Sequence, residues 1–366
     1  MKGASTYLFN VLASHPQVLR PLEGAGFKEA GAYALKNNRG GSFELGRAKV
    51  HRFPFIDAGR RNRASPRDER TADSNEGGEP FVSADGSVGY MFESANVPRK
   101  ILVDNPLAKV IFVVREPVER TWSDYRYLSH TYVPYRLSFA KVVLEAAALL
   151  AADDCLGLPV LAGVLVGASL DKGASDGAAA FVASLAANVS SWQHQPADLF
   201  YHTTCGRVDH DVNQIVKKSL YVFMIAHWLE VMGPDHILVL DSGDFGMTPS
   251  RQRDAPAAPV ATSVAQQTFE RVVAFAGLCP FVFDEAILST PSNVDRRGAD
   301  VIPLRLQADA HTRRRLAEFF APYNAALEAL VGRSFGWAAR QTAALEKLAQ
   351  DNAALKAAAE PISMKF

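Results

Sequence analysis

Apolar positions along this chain follow two different periods. Between Thr6 and Ala13, the residues Tyr7, Leu8, Val11 and Leu12 recur at helical spacing, and His15-Pro16 closes that segment. "AKVIFVVRE" (Ala108–Glu116) and "HILVLDSGDF" (His236–Phe245) are instead short, continuous, β-branched runs, which predict fully buried strands of a parallel sheet. The helical pattern "VERTWSDYRYLSH" follows the first run at once, and "LYVFMIAHWLEVM" (Leu220–Met232) precedes the second. "QTFERVVAFAGL" (Gln267–Leu278) predicts an amphipathic helix closed by Gly277, and "TRRRLAEFFAPYNAALEALVG" (Thr312–Gly332) a pair of helices. Phe139–Val189 is alanine-rich and mostly helical in pattern, with glycine breaks. Arg60–Glu79 is charged and almost free of large apolar residues, so it predicts an exposed, flexible loop. Strands alternating with helices, with no internal repeat, predict an α/β fold with a doubly wound parallel sheet flanked by helices.

Composition narrows this only a little. The 366 residues suffice for one large α/β domain or two small ones, and 48% hydrophobic residues can fill a sizeable core. Lys+Arg and Asp+Glu both number 39, and this zero net charge argues against a general nucleic-acid binder while leaving room for a local basic cleft. Cys155, Cys205 and Cys279 lack metal-type spacing. They fit one disulfide and one free thiol in an oxidising compartment, or three thiols in a cytosolic one. Asn188-Val189-Ser190 fits a glycosylation acceptor. No signal peptide is visible, and the longest apolar run, Leu156–Leu170, is too short to span a bilayer. The chain as written is expected to be soluble, with any membrane anchor lying upstream of Met1. Arg340–Ala359 predicts an exposed terminal helix and a candidate contact for a homodimer.

Two stretches carry candidate chemistry. The chain opens with Lys2, Gly3, Ala4, Ser5 and Thr6 directly before the first helical pattern. Backbone N–H groups at a helix start point at anions, small residues allow close approach, and Lys2 with the two hydroxyls adds donors. A generic N-terminal turn reads the same way. The second stretch is "VVREPVERTWSDY", where Arg115 ends a buried strand, Pro117 starts a helix, and Ser123 lies one to two turns on. An arginine at a strand end and a hydroxyl on the next helix can grip one phosphate together. On spacing alone, the alternative is that Arg115 pairs with Glu119 while Ser123 faces solvent.

Together these segments resemble the carbohydrate sulfotransferases that use 3′-phosphoadenosine 5′-phosphosulfate. "KGASTYLFNVLASHPQV" resembles their 5′-phosphosulfate loop, Lys-x-Gly-Thr-Thr and a helix before "HP". "AKVIFVVREPVERTWSDY" resembles their 3′-phosphate segment, a long and specific match. "SLYVFMIAHWLEVMGPDHILVLDSGDF", "TFERVVAFAGL" and "FFAPYNAALEALVGRSFGW" follow in the family's order, over most of Lys2–Trp337. The resemblance implies a P-loop-like sheet in a single domain over residues 1–338, with an acceptor-side helical insertion over 140–215 and a helix or tail over 339–366. The family has a strand before the phosphosulfate loop, so the first strand is expected to be truncated here.

The resemblance also implies roles. Lys2 would stabilise charge on the donor's bridging oxygen. Gly3, Ala4, Ser5 and Thr6 would cradle the 5′-phosphate, and Arg115 and Ser123 would hold the 3′-phosphate. "GFKEAGAY" resembles the stretch that supplies the family's general base, which nominates Glu29, with Lys28 beside it in the cleft. A solvated Lys-Glu pair is the plain alternative, and His130, His194, His202 and His210 are alternative bases. "SADGSVGYMFES" stands where many relatives have Glu-Lys-(Ser/Thr)-x-x-Tyr. Asp85, Ser87 and Tyr90 match it as acceptor-binding residues, but Gly86 replaces the lysine. This version resembles the branch that sulfates galactosaminoglycans such as chondroitin 4-sulfate, the N-acetylgalactosamine 4-sulfate 6-O-sulfotransferase type. Arg296, Arg297 and Gly298 in "STPSNVDRRGADV" match a basic loop over the nucleotide, or are a surface loop with two arginines. No metal is implied. The acceptor would be a polysaccharide, met in the Golgi lumen if an anchor precedes this chain and otherwise in the cytoplasm. Two other classes compete. A P-loop nucleotide kinase should show Gly-x-x-x-x-Gly-Lys-(Ser/Thr), which is absent. A catalytically impaired nucleotide-binding or scaffold protein draws its support from Gly86 and the missing strand.

Overall fold

The computed structural model describes residues 5–19, 82–87, 89–93, 97–131, 138–143, 215–246, 259–289 and 310–359. The expectations for 60–79, for most of 140–215 and for the run Leu156–Leu170 lie outside these residues. In chain order the elements are α1 (Ser5–Leu12), β1 (Val18–Leu19), β2 (Val82–Ser83), α2 (Val97–Asp104), β3 (Val110–Val114) and α3 (Pro117–Thr131). They continue with α4 (Tyr221–Met232), β4 (Ile237–Asp241), α5 (Pro259–Phe275), α6 (Glu285–Ser289), α7 (Ala310–Val331) and α8 (Trp337–Ala359). The fold is mixed α/β. Both strand pairs are parallel, β1 with β2 and β3 with β4 in register Val110–Ile237 through Val114–Asp241. The two apolar runs form parallel strands as expected, but the first is not fully buried: Phe112 and Val114 are buried, while Val110, Ile111 and Val113 are half-buried. Among the described residues the strands form two sheets of two. No described helix is long and apolar enough to cross a membrane.

The chain divides into two compact units. One comprises Lys2–Val114 and Trp228–Arg296. Its core gathers Tyr7, Leu8, Val11 and Leu12 from α1 with Leu240, Phe245, Phe269, Val272 and Phe283. The apolar face of α1 is therefore the one its spacing predicts, and burying it fixes the helix against β4 and α5 residues. Tyr7 meets Phe245 and Phe269 edge-on, with ring centroids 5.6 and 5.8 Å away. Its hydroxyl donates to the Leu288 carbonyl at 2.7 Å. Tyr7→Phe keeps the rings and orphans that buried carbonyl, so it should cost about 1 kcal/mol, read as a lower denaturation midpoint. His15 is structural too. The Gln17 N–H donates to Nδ1 at 3.1 Å, so the ring proton sits on Nε2, which donates to the Cys279 carbonyl at 3.0 Å. Gly277, at φ 68°, takes the left-handed conformation that ends α5, as its position predicts.

The other unit comprises Arg115–His227 and Arg297–Phe366. Here one expectation needs correcting. Ala310–Val331 is a single helix that runs through Pro322, not a pair. Proline removes one helical hydrogen bond, but Leu316, Phe319 and Phe320 before it and Tyr323, Ala326 and Leu327 after it share one buried stripe. Tertiary packing on both sides of the break outweighs the local cost. Phe223 and Tyr221 of α4 pack on Tyr323 and Trp337 in the same unit. α8 is exposed over Ala338–Arg340 and Thr342–Ala344.

Candidate functional site

The continuous run of β3 ends at Val114, and Pro117 at the first helical position begins α3 two residues later. That short step leaves Arg115 and Glu116 at the strand's carboxyl end. Glu116 turns inward. Its carboxylate accepts the backbone N–H groups of Val118 at 2.8 Å and Glu119 at 2.7 Å, which closes the start of α3, and the side-chain amide of Gln341 at 2.6 Å. Burial pushes its carboxyl above the ordinary glutamate range; the three donors pull it back, and the nearby Glu119 charge adds to the rise. A folded pKa above the unfolded one means that the native state holds its proton to higher pH. Stability from this group is then lost as pH rises from about 4.3, the unfolded value, through the raised folded value. The unfolding free energy of wild type minus that of Glu116→Gln should therefore shrink from pH 4 toward neutrality, measured by urea denaturation at several pH values.

Arg115 lies beside this cap. Its backbone N–H donates to the Tyr221 hydroxyl at 3.3 Å. Burial pushes that hydroxyl up to about 12, against the pull of Arg120 and Arg115, so it stays neutral. The Arg115 guanidinium stands 3.7 Å from the Glu119 carboxylate, with side-chain exposures of 25% and 27%. At that separation the pair is electrostatic rather than a good hydrogen bond. The same carboxylate is hydrogen-bonded by Arg313 of α7. Two guanidinium groups and one carboxylate thus meet at a partly open surface with a net positive charge. Ser123 lies one turn beyond Glu119 on α3, half-buried, and its hydroxyl makes no hydrogen bond among the described residues. The Arg115–Glu119 pairing weighed from spacing is present, and Ser123 is not simply in solvent.

Behind this surface lies a buried polar group. Arg120 donates to the Ile215 carbonyl at 2.8 Å, the Ser219 hydroxyl at 2.9 Å and Asp124 at 2.8 Å. Thr121 bonds the Pro117 carbonyl and reaches Ser219 at 3.0 Å. This network holds α3 to the segment before α4.

In the other unit, Asp85, Ser87 and Tyr90 come together. One oxygen of Asp85 accepts the N–H of Ser87 at 2.9 Å and its hydroxyl at 2.5 Å. The other accepts the Tyr90 hydroxyl at 2.6 Å. This is an Asx-turn locked by short, charge-assisted bonds. Trp228 donates to the carbonyl of Met91, the residue after Tyr90, at 3.4 Å. Ser5 and Thr6 are the first two residues of α1 and are both half-buried. Lys2, Gly3, Ala4, Lys28, Glu29, Arg296, Arg297 and Gly298 lie outside the described residues.

Four participants were not singled out from the sequence. Glu is outside the usual set of helix-capping residues, so Glu116 gave little sign of its role beyond preceding Pro117. Arg313 sits in the run Arg313-Arg314-Arg315, which reads as a solvated face, and its partner is 194 positions away. Arg120 and Asp124 had helical i, i+4 spacing, but nothing local marked them as buried. Arg115 and Arg313 offer two cationic forks at a partly open surface, the kind of group that pairs with carboxylates and phosphates.

Comparison with solved structures finds likenesses. The crystal structure of a sulfotransferase from Alicyclobacillus acidocaldarius is similar at a TM-score of 0.45 and 20% sequence identity, over 92% of this chain and 94% of that one. No protein-family model matches the chain. No curated protein matches it.

Proposed function

We propose that this chain transfers a sulfuryl group from 3′-phosphoadenosine 5′-phosphosulfate to a hydroxyl of a carbohydrate acceptor of the glycosaminoglycan type. What supports the reading is the stretch "VVREPVERTWSDY" taken with the geometry around it: Arg115 at the end of β3, a second arginine beside it, and Ser123 one turn along the helix. In this reading β1–β2 and β3–β4 belong to one P-loop-like wound sheet.

Arg115 and Ser123 hold the 3′-phosphate, and Arg296, Arg297 and Gly298 close over the nucleotide. Gly3, Ala4, Ser5 and Thr6 hold the 5′-phosphate. The donor, when bound, supplies a sulfuryl group whose in-line transfer builds charge on the departing phosphate oxygen. Lys2 places its positive charge beside that oxygen. Glu29 takes the proton of the acceptor hydroxyl, with Lys28 next to it. Asp85, Ser87 and Tyr90 present a fixed hydrogen-bonding edge to the sugar. Gly86 leaves this edge without the cation that relatives carry, and it favours a second reading, a nucleotide-binding protein with impaired transfer.

The test is a transfer assay with sulfur-labelled donor, a chelator present, and a panel of chondroitin, chondroitin 4-sulfate, heparan sulfate and small phenols. Label moving to a glycan supports the proposal. Tight binding of adenosine 3′,5′-bisphosphate without transfer to any acceptor favours the second reading, and absence of binding sinks both.

A further inference from the structure

Resting on the donor reading above, we propose that Arg313 is a third member of the 3′-phosphate grip and that Glu119 is its internal competitor, a carboxylate standing where the phosphate goes. Glu119 bridges two guanidinium groups that come from different elements, Arg115 from the end of β3 and Arg313 from α7. All three side chains are about a fifth to a quarter exposed, so solvent and a ligand can reach them. A bridging carboxylate brings one negative charge and two acceptor oxygens. A phosphomonoester near neutral pH brings nearly two charges and three oxygens, which suits two arginine forks better. Ser123, four positions after Glu119 on α3, adds a hydroxyl to the same helix face.

The arrangement has a consequence for selectivity. Without a bound anion, Glu119 keeps two like charges from repelling each other and keeps both side chains in place. A ligand phosphate must displace it, so weak anions are refused and a dianion is accepted. If Glu119 and Arg313 only fastened α3 to α7, the nucleotide would not sense either of them beyond general stability.

Calorimetric titration of the full chain with adenosine 3′,5′-bisphosphate and with adenosine 5′-phosphate separates the cases. Arg313→Gln should weaken the bisphosphate about tenfold and leave the 5′-phosphate unchanged, with partial recovery in Arg313→Lys. Glu119→Gln should tighten the bisphosphate, by about two- to fivefold, because the competitor has lost its charge. A melting curve of each variant identifies any loss of folding, and Arg313→Lys keeps the ion pair if Arg313→Gln melts early. The inference alone is overturned if Arg115→Ala weakens the bisphosphate while both Arg313 variants bind it like wild type, or if Glu119→Gln binds it less tightly. If wild type does not distinguish the two nucleotides, the donor reading itself falls, and this inference with it.

Discussion

Arg120→Ala is expected to cost about 3–5 kcal/mol of stability in the unit that contains α3. Arg120 is 7% exposed and Asp124 5%, so neither charge has water as a ready substitute. The guanidinium satisfies Asp124, the Ser219 hydroxyl and the Ile215 carbonyl at once. Truncation takes the Arg120 hydrogen bond from the buried Asp124 carboxylate and from the Ile215 carbonyl. The reciprocal experiment sharpens the expectation. Replacing both partners by leucine removes both charges, and most of the lost stability should return, since paired buried charges gain little net free energy over apolar packing. Urea denaturation followed by circular dichroism measures each variant. A change under 1 kcal/mol in Arg120→Ala would overturn this expectation.

The second large effect concerns turnover. Under the proposed sulfuryl transfer, Glu29→Gln should slow the reaction by about 10²–10⁴-fold and leave binding of adenosine 3′,5′-bisphosphate unchanged. In that reading the acceptor is a sugar hydroxyl, far too weak an acid to attack without losing its proton as the new bond forms. A carboxylate accepts that proton; an amide of the same shape does not. The same reading assigns donor affinity to Lys2, the small residues after it, Arg115 and Ser123, which the substitution leaves unchanged. Unchanged turnover with labelled donor would move the base to another residue, with His130, His194, His202 and His210 the next to replace. A parallel loss of nucleotide binding would show that Glu29 shapes the donor site rather than the acceptor side.

Some features were legible in the sequence because their causes are local. The strands over Val110–Val114 and Ile237–Asp241 announced themselves as short apolar runs rich in valine and isoleucine. Asp85, Ser87 and Tyr90 were singled out by resemblance alone, and the hydrogen bonds that join them lie within five positions of chain. Other features depend on long-range packing. Pro322 pointed to a break, and only a buried stripe on both sides of it makes one helix of Ala310–Val331. Arg313 reaches Glu119 across 194 positions, and Ser219 reaches Arg120 across 99. No periodicity encodes such meetings, so the second arginine at the candidate phosphate site emerged only from the fold.

The parallel pairing of β3 with β4 also bears on how the chain is made. Roughly 120 residues separate Val114 from Ile237. At ribosomal rates of about 5–20 residues per second, β3 waits roughly 6–24 s before its neighbour is synthesised. Through that interval the apolar strip Val110–Val114 has no partner on that edge. Such a strip is a template for association with another nascent chain. Yield in a cell should thus depend on holdase chaperones and on growth temperature, and closing so distant a pair should make refolding from denaturant slow.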